Sequence, residues 1–344
     1  MSSETELLNA LWGFEPTVTV DGSCADAAER VIARNPKLAF YVAEISSQRA
    51  FVNGVRITYR FRYVNTEVPP SDVHVVSTPR EVNALFCQYA DSVKPRLVLF
   101  AGAGTDVVGE WRRFVAVNAP YYANFLGAEV VRGQSCLTPL AYYDFHFQYR
   151  MGRVKLAMME NETRKEVERI AGQLFLSGMS DATKAFLAHN YLAHTIEYTR
   201  IPDPTDLEAG YMQSAYGGLI RKKCVCQGYA EAFKRLMNHE GIPCDMICGQ
   251  IAGSSTHHAW NILRLNGGRD CYHVDVTWDS TESRVSCRYF GLSDGDLAVE
   301  RRWNRELYPR CAAAVDLLTE ARRGLPRFMP RLAANGVGLR VLGF

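Results

Sequence analysis

Residues 216–279 read, in order, Y-G-G-L-I-R-K-K-C-V-C-Q-G-Y-A-E-A-F, then G-I-P-C, then H-H-A-W-N, then Y-H-V-D-V-T-W-D. The stretch offers a cysteine opening a helix, a histidine opening a strand and an aspartate on the next strand. A nucleophile, a base and a group that orients the base are what acyl transfer at a cysteine requires. Cys226, His258 and Asp275 are the residues in question.

The elements that must hold them can be read from the same stretch. Tyr229, Phe233, Leu236 and Met237 make one apolar helical stripe behind Cys226, and Gly241 with Pro243 ends the helix. Cys226 then lies at the helix N-terminus, where unpaired N–H groups and the positive dipole end favour a thiolate. His258 and Asp275 flank a hairpin that turns at Asn266-Gly267-Gly268. With Asn-Gly in the turn they are directly opposite; with Gly-Gly the register slips by two and they are diagonal. Both registers put the two residues on one face and send His257 to the other. His273 shares Asp275's face but lies nearer the turn. Trp260, Asn261, Trp278 and Asp279 read as scaffold.

The ordered set C-Q-G-Y-A-E-A-F, G-I-P-C, H-A-W-N and Y-H-V-D-V-T-W-D resembles the transglutaminase-like superfamily of papain-type cysteine enzymes. S-A-Y-G-G-L-I (214–220) and Y-F-G-L-S-D (289–294) also fit its bacterial members. The resemblance covers roughly residues 160–310. It implies Cys226 as nucleophile, His258 as general base and acid, and Asp275 as orienter of the imidazole. It also implies an α+β fold, in which a helical lobe carrying the cysteine packs on an antiparallel sheet carrying His and Asp. The family draws its second oxyanion donor from just upstream of the cysteine, which makes Tyr216 the candidate, with Gln213 and Gln227 behind it. The chain departs from the bacterial pattern at Cys224, where glycine is usual. Gln-Gly-Tyr-Ala follows Cys226 directly, so Cys226 is preferred as nucleophile. Cys224 is left as an unreactive thiol or, second, a redox partner.

Other readings stand beside this one. Cys224, Cys226, Cys244, Cys248 and His257 could be weighed as a zinc set, but C-x-C is too tight for an ordinary knuckle. The expected reaction is hydrolysis of a peptide or amide bond through a thioester. The alternatives are transglutaminase crosslinking to a lysine amine, and a non-catalytic peptide-binding module. No acidic cluster suggests a calcium switch, and no cofactor is expected.

The remainder of the chain reads as support. Residues 161–176 and 180–198 form two helices, the second capped by Ser180. Ile201-Pro202-Asp203-Pro204 marks the loop that follows. Upstream, residues 1–155 read as an α/β domain without nameable chemistry. It holds an alternating strand at 55–63 after an Asn53-Gly54 turn, a helix at 79–93 and a buried strand at 96–101. A helix over 108–117 stops ahead of Pro120, and a second alternating strand runs over 143–149. Gly102 and Gly104 follow a strand, but Val107 stands where a dinucleotide fingerprint needs its third glycine, so they read as a turn. Residues 156–310 are the expected catalytic domain, and 311–344 a helical tail packing on it.

The net charge of +2 points to neither nucleic acid nor membrane. The last 44 residues carry nine Arg against three acidic residues, spread among apolar residues as on a solvated helix face. The N-terminus lacks the pattern of a signal peptide, so a cytoplasmic location is expected, with most of the ten cysteines as buried thiols. The expected partner is a protein or peptide substrate.

Overall fold

The computed structural model describes residues 3–22, 24–51, 54–117, 122–201, 203–280, 285–312, 315–338 and 340–342. Asn53, Pro120 and Pro202, read above as turn or stop signals, lie outside them. The chain forms two compact units, residues 1–149 and 150–344.

In the first unit, α1 (Ser3–Trp12), β1 (Thr17–Asp21), α2 (Ala27–Arg34), β2 (Val42–Phe51) and β3 (Val55–Tyr63) build an antiparallel sheet of order β1-β3-β2 with two helices. Alternation places Ile57, Tyr59 and Phe61 of β3 in the core while Arg56, Arg60 and Arg62 face solvent. A second sheet follows from β4 (Val73–Val76), α3 (Pro79–Ser92), β5 (Arg96–Ala101), α4 (Val107–Val117), β6 (Phe125–Gln134) and β7 (Ala141–Tyr149), in the order β4-β5-β7-β6. Only β4 and β5 are parallel, joined by α3 as a crossover helix. Thr78 and Glu81 close a capping box at the start of α3, satisfying two N–H groups that the helix leaves without partners. Gly102 and Gly104 sit in a turn ahead of α4.

The second unit opens with α5 (Arg153–Leu174) and α6 (Asp181–Thr195), then β8 (Glu197–Tyr198), α7 (Leu207–Met212), α8 (Ala215–Leu219), β9 (Lys223–Cys224) and α9 (Cys226–His239). Ser180 caps α6 through the N–H of Thr183. The antiparallel sheet comes from β10 (Cys244–Ile251), β11 (His257–Leu265), β12 (Asp270–Val274), β13 (Phe290–Leu292) and β14 (Arg301–Arg302), in the order β13-β12-β11-β10-β14. A short helix α10 (Val276–Asp279) follows β12, α11 (Asp294–Leu297) follows β13, and α12 (Leu317–Gly324) and α13 (Met329–Ala334) close the chain.

One core joins helices and sheet. Tyr229, Phe233, Leu236 and Met237 of α9 pack with Leu263, Leu265, Tyr272 and Val274 of the sheet, and with Phe186 of α6. Leu317, Ala321, Leu325, Phe328 and Leu332 enter the same core, so the arginine-rich end is held by its apolar stripe. Burying one side chain such as Phe233 contributes about 2–3 kcal/mol. Among the described residues no helix is long and apolar enough to cross a membrane.

Candidate active site

Helix α9 begins at Cys226, with Val225 in the N-cap position and no side chain capping the end. Valine has no acceptor to offer, so the first turn keeps its donor character. The glycine of Cys-Gln-Gly has a steric cause: a Cβ at position 228 would lie 2.5 Å from Cys224 Cβ and 2.8 Å from the Met212 carbonyl oxygen. Only glycine lets the helix start press this closely on the strand before it. Cys226 is half-buried, whereas Cys224 is fully buried.

The hairpin adopts the slipped register. Leu265 pairs with Asp270 and Asn261 with Val274, and residues 266–269 form the connection. His258 is the second residue of β11, and Asp275 follows β12 directly as the N-cap of α10, its side chain accepting from the Trp278 N–H. Both therefore stand at the same end of the sheet, on one face with Trp260 and His273. His257 is exposed on the other face.

The imidazole of His258 connects the three residues. Its Nε2 lies 2.8 Å from Asp275 Oδ2. A carboxylate only accepts, so Nε2 donates, leaving Nδ1 for the hydrogen bond with Cys226. Trp260 stacks on the ring at 5.9 Å with an interplanar angle of 17°. Burial by itself lowers the pKa of His258. The Asp275 carboxylate, and after it Cys226, reverse this and raise it to about 9. Asp275 is also fully buried, which favours its neutral form, yet His258 and Arg301 together hold its pKa below the ordinary carboxylate value.

Arg301 is the residue that sequence reasoning missed. Its side chain is wholly buried, and its NH2 group donates to the same Asp275 oxygen at 2.9 Å. The guanidinium carbon sits 4.0 Å over the Trp278 ring. Nε is buried without a hydrogen-bond partner, which costs on the order of 1–3 kcal/mol.

The other expected residues fall as follows. Tyr216 lies on α8 with its ring against Tyr211, and its hydroxyl is hydrogen bonded to Glu162 of α5, which turns it towards α5. Gln213 is half-buried at the C-terminal end of α7, and Gln227 is half-buried in the first turn of α9. Asn261 donates to the carbonyls of Ala230 and Asp245, tying α9 to the sheet. Asp279 accepts from the Tyr289 N–H and from His189. Burial pushes the Cys224 thiol well above its ordinary value, with Cys226 adding to the effect, so Cys224 stays protonated and unreactive.

None of the five residues weighed as a zinc set belongs to the group of ligand-type side chains that the described residues bring together, which is His273, Asp294 and Cys311. That group has another explanation. Trp260 Nε1–H donates to His273 Nδ1 at 3.1 Å, so Nε2 carries the proton and donates to Asp294 Oδ1 at 2.9 Å. A metal on Nε2 would move the proton to Nδ1 and set two N–H groups face to face. The cluster is a hydrogen-bonded buttress.

The family model of the transglutaminase-like superfamily matches residues 168–276, which include Cys226, His258 and Asp275. No curated protein matches the chain. Among solved structures, one described as a TGase is 16% identical with a TM-score of 0.30, covering 57% of this chain and 54% of that one. A candidate cysteine protease from Cytophaga hutchinsonii is 12% identical with a TM-score of 0.27, covering 44% and 62%. A candidate protease from Parabacteroides distasonis is 8% identical with a TM-score of 0.25, covering 56% and 45%. The chain thus spans about half the length of these structures. Residues 168–276 of the second unit, a mixed helix–sheet core, are similar to the transglutaminase-like superfamily, whose members are typically cysteine-dependent enzymes.

Proposed function

We propose that Cys226, His258 and Asp275 form a catalytic triad for acyl transfer to water, hydrolysing a peptide or amide bond. The observation that carries this reading is the position of one imidazole, with Nε2 committed to Asp275 and Nδ1 turned to Cys226. In the first half-reaction the Cys226 proton passes to His258 Nδ1 and the sulfur attacks the carbonyl carbon. The tetrahedral oxyanion takes hydrogen bonds from the Cys226 N–H and a second donor, for which Tyr216, Gln213 and Gln227 remain the candidates, the Tyr216 hydroxyl being hydrogen bonded to Glu162. The C–N bond then breaks, His258 protonates the departing amine, and a thioester remains. In the second half-reaction water gives a proton to His258, its oxygen attacks the thioester, and the C–S bond breaks to restore the thiol. Asp275 stabilises the imidazolium formed at each stage.

The test is incubation with a mixed peptide library in H2(18O) containing a primary-amine probe, with Cys226→Ala as control. Hydrolysis inserts one 18O into each new carboxyl group. Amine adducts in place of 18O would make the protein a transglutaminase. If the parent and Cys226→Ala gave the same products, the catalytic reading would fail.

A further inference from the structure

We propose that Arg301 is a positioning residue of this site, fixing the Asp275 carboxylate for His258 and taking a share of its negative charge. The inference deepens the triad reading and rests on it. Three donors hold the carboxylate: His258 Nε2 and Arg301 NH2 on Oδ2, and the Trp278 N–H on Oδ1 at 3.3 Å. Together they fix its plane, and with it the ring of His258.

Stability does not account for an arginine at this position. The residue is fully buried, stacks on Trp278, lies 5.4 Å from the Tyr289 ring and leaves Nε–H unpartnered. An apolar side chain of similar volume fills such a space at less cost than a cation. The arginine does supply a permanent positive charge on the oxygen that the imidazole uses. A carboxylate already paired with a guanidinium attracts an imidazolium less strongly. His258 is thereby kept from holding its proton too firmly to return it.

Among the described residues, few other charged or titratable groups face this pair. Glu300 Oε2 lies 3.9 Å from Arg301 NH1, and Glu300 is itself engaged by Arg288 and by the Tyr289 hydroxyl. Cys226 occupies the far side of His258. His273 and Asp294 lie beyond Trp260, already paired with each other. Glu300 therefore tempers how strongly Arg301 acts on Asp275.

The experiment is an NMR titration of the His258 imidazole in 13C-histidine-labelled full-length protein, assigned with His258→Ala, in the parent, Arg301→Gln, Arg301→Lys and Glu300→Gln. The account expects a parental midpoint near 9. Loss of the arginine charge should raise it by about one unit, and lysine should bring it back towards the parent. Glu300→Gln, a half-exposed change that leaves the core intact, should lower it by about half a unit. An unchanged midpoint in folded Arg301→Gln would reduce Arg301 to packing and overturn the proposal. If that variant does not fold, an unchanged midpoint in Glu300→Gln overturns it instead. Failure of the triad reading has a separate signature, a parental Cys226 that alkylates no faster than the other cysteines, whatever the midpoints do.

Discussion

Among the described residues of the second unit, three buried histidines are each hydrogen bonded to an aspartate at nearly the same distance. His258 meets Asp275 at 2.8 Å, while His189 meets Asp279 and His273 meets Asp294 at 2.9 Å. The pairs differ at the second ring nitrogen. In His189 it faces Asn190 Oδ1 at 3.0 Å, so both nitrogens are given to oxygen atoms. In His273 it already accepts the Trp260 N–H. Only in His258 does the second nitrogen face a group, Cys226, whose proton can move. A buried His–Asp pair is therefore not in itself a sign of catalysis. The partner on the far nitrogen separates a base from a buttress.

His258→Ala should lower kcat/KM about 10^4-fold or more in molecules that fold, with a loss of stability at neutral pH that fades as pH rises through about 9. His189→Asn should cost about 3–5 kcal/mol because Asp279 loses its buried partner, while molecules that fold keep most of their turnover. Urea denaturation and kinetics on both variants check this. Equal losses of activity, both explained by unfolding, would erase the distinction between the pairs.

Asp275→Asn should lower kcat/KM by about 10^2- to 10^4-fold with KM little altered, measured by initial rates once a substrate is found. The pH dependence follows from the signs of the shifts. His258 is raised in the folded state, so its stabilisation is complete below about 6.5 and is lost as pH rises through about 9. Turnover, which needs the imidazolium to protonate the leaving amine, should fall along the same alkaline limb. Asp275 is lowered, so its contribution is present above 3.8 and disappears as pH falls through its folded value. A Tm profile should show the alkaline step in the parent and lack it in His258→Ala. The smallest effect is expected from Trp260→Phe, which deletes the N–H donated to His273 and should cost about 1 kcal/mol in urea denaturation.

Much of the second unit was legible because its local signals agree. The stripe behind Cys226, the Ser180 cap and the parity of the hairpin each read out directly, and parity survives either register because side chains alternate with period two. The register itself was open, since Asn266-Gly267-Gly268 permits more than one turn. Helix α5 begins at Arg153, well before the stripe that marks it at residues 161–176. Strand β6 escaped because F-L-G-A-E-V-V-R-G-Q has no clean alternation. It is mostly exposed, and a register shift lies between Phe125 and Gly127, so pairing with β7 forms it rather than its own pattern. Arg301 escaped for a related reason. It lies 26 residues beyond Asp275 in an arginine-rich segment, where a solvated face is the ordinary reading. Only the pairing of Ile251 with Arg301 across the sheet brings it to the carboxylate.

The central claim, that Cys226 is activated by His258, is tested most directly by iodoacetamide labelling with peptide mapping from acid to mildly alkaline pH. The parent and His258→Ala should be compared. Burial raises the thiols of Cys87, Cys224, Cys244, Cys271, Cys287 and Cys311, so competition should come chiefly from the exposed Cys24 and Cys136. The account predicts that Cys226 labels fastest of the ten, well below the free-thiol range of about 8.5, and slows markedly when His258 is removed. A Cys226 that labels no faster than Cys24 or Cys136, with or without His258, would contradict it.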